Sequence, residues 1–228
     1  MNSFRNVLAL DTALGGCCAA CVAGEVEAVK CEAMPRGQAE HLVPFADEVM
    51  DQCSLPYADL DAVLCTVGPG AFTGLRIGMS TARAFGLSVD VPVLGVTTLQ
   101  ALALNFSHKE NNPCCVVLET KRQDFYVQSF DENAVALSES QAVYAEQVAE
   151  IAGDRVFIGD GVARYMEVSG AQCETAGYEL PDMAMVARVL CEQGMESGFF
   201  VEDPEPVYLR GADVSMPKTP PRTLEALS

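Results

Sequence analysis

Asp11 and Thr12 close the apolar run Val7-Leu8-Ala9-Leu10, and Gly68-Pro69-Gly70-Ala71-Phe72-Thr73-Gly74 closes a second apolar run that begins after Asp61. A carboxylate and a hydroxyl at the carboxyl end of a buried strand stand where α/β proteins bind ligands. A glycine-rich turn that enters a helix offers backbone N–H groups to an anion. Gly159-Asp160-Gly161 ends a later apolar run in the same way, so Asp11, Thr12, Gly159 and Gly161 together make a weak candidate nucleotide site. The spacing does not reinforce it. No lysine follows Gly74, as a Walker loop requires, and threonine stands at position 73 where a dinucleotide loop requires glycine. The alternative is that Asp11 and Thr12 simply close a turn.

Other chemistries find less support. Cys18 and Cys21 form one Cys-x-x-Cys, but residues three apart on a strand point to opposite faces, and no second pair completes a zinc site. The ten cysteines sit mostly inside apolar runs, which predicts free, buried thiols in a reducing compartment. Only His41 and His108 are present, and no Ser/His/Asp or Cys/His grouping is signalled. The sequence therefore predicts no metal site and no catalytic constellation.

The elements that carry these residues are legible. From Gly74 onward Gly74, Gly78, Ala82 and Gly86 recur every four residues on one helix face, with Thr73 expected as the N-cap. Glycine inside a helix costs about 1 kcal/mol relative to alanine, so such a ridge requires close approach by something. Two partners fit: the chain's own sheet, or a helix of another protein. A helix over Gln38–Cys53 carries a second stripe, with Ala39, Leu42, Val43, Ala46, Val49, Met50 and Cys53, and Pro44 either kinks it or starts it. The partner-surface reading takes Leu42, Phe45, Val49, Gly74, Leu75, Gly78, Met79, Ala82 and Arg83 as the contact, and predicts that Gly78→Arg blocks association while the monomer stays folded.

The chain has 228 residues, half of them apolar, with 14 basic against 32 acidic side chains and a net charge of −18. That charge excludes a chain that binds nucleic acid alone, because phosphates need a basic stripe. No apolar run reaches the roughly 20 residues of a membrane span, and the first residues lack a signal-peptide layout. A cytoplasmic protein with no membrane contact is expected.

The order of apolar runs predicts strands at Val7–Leu10, Cys17–Ala23 and Val26–Glu32, then helix, strand, helix, the short strand Val91–Val96, and a helix from Thr97–Thr98 to Leu104. The second half repeats the order, with strands Cys114–Glu119, Phe125–Phe130 and Val135–Ser138, a helix Ala142–Ile151, a strand Val156–Ile158 and a helix Asp182–Gln193. Two halves with one element order predict a duplicated α/β fold facing a cleft: a first unit over 1–108, a second over 109–210, and a mobile tail over 211–228. The Asp182–Gln193 helix is free, on sequence alone, to cross back onto the first half.

Four segments, Leu8-Ala9-Leu10-Asp11-Thr12-Ala13, Gly68 to Gly78, Gly95-Val96-Thr97-Thr98-Leu99 and Glu205-Pro206-Val207-Tyr208-Leu209-Arg210, together resemble the bacterial TsaB (YeaZ) family. The resemblance runs in register from about Val7 to Arg210. It implies an actin/Hsp70/sugar-kinase-like (RNase H-like) fold of two β-β-β-α-β-α units, and a part in making N6-threonylcarbamoyladenosine beside the tRNA anticodon. It further implies a subunit that is not an enzyme on its own. Such a subunit pairs with the catalytic paralogue TsaD and the P-loop ATPase TsaE, meets tRNA, ATP and magnesium only through the complex, and forms a homodimer when its partner is absent. The paralogue's His-x-x-x-His metal pair has no counterpart here, since His41 stands alone on its helix. Around it, Gly37-Gln38-Ala39-Glu40-His41 departs from the family pattern. The turn where ATP-binding members present Asp-x-Gly reads Glu119-Thr120-Lys121-Arg122-Gln123, either a solvated turn or a spot attractive to anions. The alternative to the subunit reading is a stand-alone small-molecule kinase or ATPase of the same fold.

Overall fold

The computed structural model describes residues 4–210; the expected tail over 211–228 lies outside the described residues. β1 (Asn6–Asp11), β2 (Gly16–Ala23) and β3 (Val26–Ala33) form an antiparallel meander, followed by α1 (Gln38–Gln52), β4 (Ala62–Thr66), α2 (Phe72–Val89), β5 (Val93–Val96) and α3 (Thr98–Glu110). The continuously apolar runs become the fully buried strands β1 and β4, which pair in parallel, as buried strands of an α/β sheet do. Gly24 closes the β2–β3 turn with φ +58°, a left-handed backbone that glycine adopts without strain.

The second half runs β6 (Cys114–Glu119), β7 (Asp124–Phe130), β8 (Gln141–Tyr144), α4 (Ala145–Ala152), β9 (Val156–Ile158), α5 (Val162–Ser169) and α6 (Met183–Gln193), ending with β10 (Val201–Glu202). The strand orders are β10-β5-β4-β1-β2-β3 and β8-β7-β6-β9. In both, the third strand, second strand, first strand and first returning strand lie side by side, and the first and returning strands are parallel. This is the duplicated α/β architecture of the actin/Hsp70/sugar-kinase type. α6 crosses back to pack on β1 and β2, and β10 adds an antiparallel strand to β5, so residues 183–202 complete the first sheet.

Several expectations need correcting. Residues 135–138 form no strand; the third strand of the second sheet is Gln141–Tyr144, and Phe130 meets Ala136 only through an isolated bridge. α1 runs unbroken through Pro44, which is exposed on its outer side. Thr73 does not cap α2: the helix starts at Phe72 after Ala71, without a side-chain cap. Ala71 N instead donates to Ala13 O at 2.8 Å, so the chain end of β1 organises this helix start. Nor are all cysteines free. Cys18 and Cys31 face each other in the β2–β3 register and are joined by a disulfide, while the other eight remain thiols.

One core lies on each face of the first sheet. Leu8, Leu10, Val63 and Cys65 pack against α1 and α2 through Leu42, Phe45, Val49, Met79 and Ala82. The opposite face is continuous with α3, α6 and the inner face of the second sheet.

Candidate functional site

Asp11 ends β1 fully buried. Its Oδ1 accepts from Thr66 Oγ1 at 2.5 Å and from Ala13 N at 3.1 Å, whereas its Oδ2 has no partner among the described residues. Burial pushes the Asp11 carboxyl above its ordinary range, against the opposing pull of those two donors. Thr12 turns the other way: its Oγ1 donates to Gly74 O at 2.7 Å.

That bond identifies what the glycine ridge approaches. A Cβ on Gly74 would fall well inside van der Waals contact with Thr12 O, one on Gly70 inside contact with Ala13 O, and one on Gly78 would stand 2.8 Å from Thr12 Oγ1. Gly86 meets Val91 and Val93 in the same manner. The ridge packs on the chain's own sheet, and the reading of Gly74 and Gly78 as a partner surface is corrected accordingly. Arginine at position 78 has no room, so Gly78→Arg would damage the fold rather than selectively block association. Leu42, Phe45, Val49, Leu75, Met79 and Ala82 are likewise buried within the chain. Of the nine expected contact residues, Arg83 alone is exposed, and its guanidinium donates to Pro204 O at 2.7 Å.

The turn at Gly159–Gly161 repeats the device. A Cβ on Gly159 would overlap Val117 O, one on Gly161 would lie 2.7 Å from Leu118 C, and Gly161 N donates to Val117 O at 3.0 Å. Both glycine turns thus let a helix start press against the end of its sheet's first strand, β1 in one half and β6 in the other. Asp160 Oδ1 accepts from Glu119 N at 2.9 Å, and burial, reinforced by the nearby charges of Glu119 and Glu179, pushes its carboxyl up to about 6. The neighbouring turn is closed by its own groups: Lys121 N donates to Glu119 Oε1 and Arg122 N to Thr120 Oγ1. Arg164 pairs with Glu119, and Arg210 with the buried Asp124.

The solvent side of α1 and α2 has a different character. Val43 is 44% exposed, Phe72 53% and Leu87 87%. Arg76 lies over the Phe72 ring at 3.9 Å, and Tyr208, 46% exposed, approaches the same ring at 5.6 Å. Phe72, Leu87 and Tyr208 were not anticipated, because they fall off the buried stripe that helical periodicity selects. The available signal was their misfit, large apolar residues at positions the pattern assigns to water. A cavity of about 400 Å³ opens at the starts of α1 and α2, lined by Thr12, Arg36, Gln38, Thr73 and Ile77. His41 is exposed on α1, while His108, on α3, lines a separate cavity of about 700 Å³ with Arg5, Asp182 and Arg188. Among the described residues no three His, Cys, Asp or Glu side chains are grouped to hold a metal ion, and no helix is long and apolar enough to cross a membrane.

Duplicated sheets with a glycine turn after each returning strand define a protein of the actin/Hsp70/sugar-kinase class. The model of the family described as TsaD, tRNA N6-adenosine threonylcarbamoyltransferase, matches residues 29–186, and the chain belongs to that family. It is similar to the Escherichia coli tRNA threonylcarbamoyladenosine biosynthesis protein TsaB, 26% identical over 94% of this chain and 98% of the relative. The Haemophilus influenzae protein of the same name is 26% identical over 95% and 98%. YeaZ from Pseudomonas aeruginosa superposes with a TM-score of 0.79 at 23% identity, over 90% of this chain and all of that one. The resemblance to the TsaB (YeaZ) group of tRNA threonylcarbamoyladenosine biosynthesis proteins, read first from four motifs, thus holds over nearly the whole chain.

Proposed function

We propose that the chain is a non-catalytic, activating subunit in the transfer of a threonylcarbamoyl group to N6 of the adenosine beside the tRNA anticodon. Its partner on this reading is the catalytic relative TsaD, met through the outward faces of α1 and α2. The observation that carries the proposal is how the two helices divide their residues. Their small positions and most of their stripe positions are consumed in internal packing, yet Val43, Phe72 and Leu87 remain exposed, and large apolar side chains left in water favour association. The net charge of −18 supports a chain that meets tRNA only within the complex. In the same proposal the ATPase TsaE joins the assembly, ATP and magnesium enter through it, and the exposed helix pair forms homodimers when the partner is missing. The halves divide near residue 108, and the setting is cytoplasmic.

Sedimentation of the purified chain, alone and mixed with TsaD, tests this. A one-to-one species with TsaD, weakened by Phe72→Glu or Leu87→Asp in a chain that keeps its melting temperature, is expected; undiminished association of both variants would move the interface elsewhere.

One observation favours the second reading, a stand-alone kinase or ATPase: the unpartnered Oδ2 of buried Asp11. Magnesium-ATP turnover by the chain alone, lost in Asp11→Asn, would establish it.

A further inference from the structure

We propose that Cys18 and Cys31 are a reversible thiol–disulfide exchange site on the edge of the first sheet, entered through Cys31. β3 is the edge strand of that sheet, and Cys31 is exposed on it, whereas Cys18 is buried on the neighbouring strand β2. The two stand opposite each other in the β2–β3 register and are bonded in the structure. A cysteine on an exposed edge strand paired with a buried one is an arrangement suited to exchange: the first meets an incoming thiol or disulfide, and the second resolves it.

The remaining thiols are held back from this chemistry. Cys17, Cys21, Cys65, Cys114 and Cys115 are buried, and desolvation raises the pKa of each, so little thiolate is present. Cys191 and Cys173 are partly buried and raised for the same reason. Cys53, also partly buried, directs its Sγ at Cys21 O.

The reaction balances with a low-molecular-weight disulfide such as glutathione disulfide as the oxidant. The Cys31 thiolate attacks one sulfur, forms a mixed disulfide and expels the first thiol. Cys18 then loses its proton, attacks the Cys31 sulfur and expels the second. Two protein thiols are oxidised and one small disulfide is reduced to two thiols; the reverse sequence reopens the pair.

The bond also has a structural reach. Cys31 is two residues from Ala33, the last residue of β3, which pairs with Gly16; Met34 N then donates to Gly15 O at 2.9 Å. Beyond it, Pro35 to Glu40 form one wall of the 400 Å³ cavity. Closing the disulfide fixes the edge strand at the base of that wall, and opening it leaves the strand to its backbone ladder, the packing of Ala28 on α1 and the Lys30–Glu48 and Glu27–Arg188 ion pairs.

Equilibrating the full chain with mixtures of reduced glutathione and glutathione disulfide, quenching with acid, alkylating and mapping by mass spectrometry tests the site. A single ratio-dependent step is expected, lowering the mass by two hydrogen atoms and assigned to Cys18 and Cys31, with slower amide exchange over 31–38 in the oxidised form. Cys31→Ser should abolish both. A pair that stays dithiol at every ratio, a step assigned to other cysteines, or a glutathione adduct that Cys18 never resolves would each overturn the proposal.

Discussion

The hydroxyl of Thr12 donates to the carbonyl of Gly74 at 2.7 Å, joining the end of β1 to the first turn of α2 across 62 residues of sequence. Both groups are buried, and the carbonyl, which lies inside α2 and belongs to the helix ladder as well, takes the hydroxyl as a second donor. Thr12→Val keeps the volume and removes that tie between β1 and α2. A loss of about 0.5–1.5 kcal/mol is expected, read as a lower midpoint in urea unfolding with an unchanged slope.

Gly74→Ala tests the close approach itself. The added methyl meets the backbone of Thr12 rather than a flexible side chain, so relief requires α2 to move off β1. The expected cost is about 1–3 kcal/mol or more, seen as a drop of roughly 2–4 °C in melting temperature for each kcal/mol. An unchanged melting temperature would show that the helix start is softer than its packing indicates.

Substitutions on the outward faces should behave oppositely. Phe72→Glu and Leu87→Asp alter exposed side chains and should leave stability within about 0.5 kcal/mol. They should nevertheless weaken TsaD binding severalfold in a titration followed by calorimetry. Phe72→Glu also removes the ring beneath Arg76 and beside Tyr208, so its effect should exceed that of Leu87→Asp.

Asp160 makes stability depend on pH in an uncommon direction for a carboxylate. Its folded-state pKa is raised from 3.8 to about 6, so between those values the folded chain holds a proton that the unfolded chain has released. Its contribution is therefore fully present below the lower value and is lost as pH rises toward 6. Asp160→Asn retains an acceptor for Glu119 N without the charge, and should flatten the decline in denaturant midpoint across that window. A wild-type profile that rises steadily from pH 4 to 6, unaltered by Asp160→Asn, would contradict this.

Fold and site were legible to different depths. The runs at β1, β4, β6 and β9 declared themselves because strands buried on both faces must be apolar throughout, and the repeated element order exposed the duplication. The stretch 135–144 misled because Val135 and Leu137 are apolar yet half exposed, while the actual strand, Gln141–Tyr144, buries mainly Val143. The glycine ridge announced that something comes close without naming what. Sequence periodicity records which face is crowded, but the neighbour, Thr12, belongs to a distant segment. The Cys18–Cys31 pairing was hidden for a similar reason: it depends on the β2–β3 register, which the turn at Gly24 sets.

β10 joins the first sheet beside β5 from more than a hundred residues downstream. On the ribosome, the amino-terminal half emerges with that flank of its sheet unpaired, and it stays so until residues 201 and 202 have been made. While the residues between Val96 and Val201 are being made, the nascent chain therefore presents an open β-edge to its neighbours. Truncation before Val201 should accordingly yield a product that aggregates rather than a smaller stable domain.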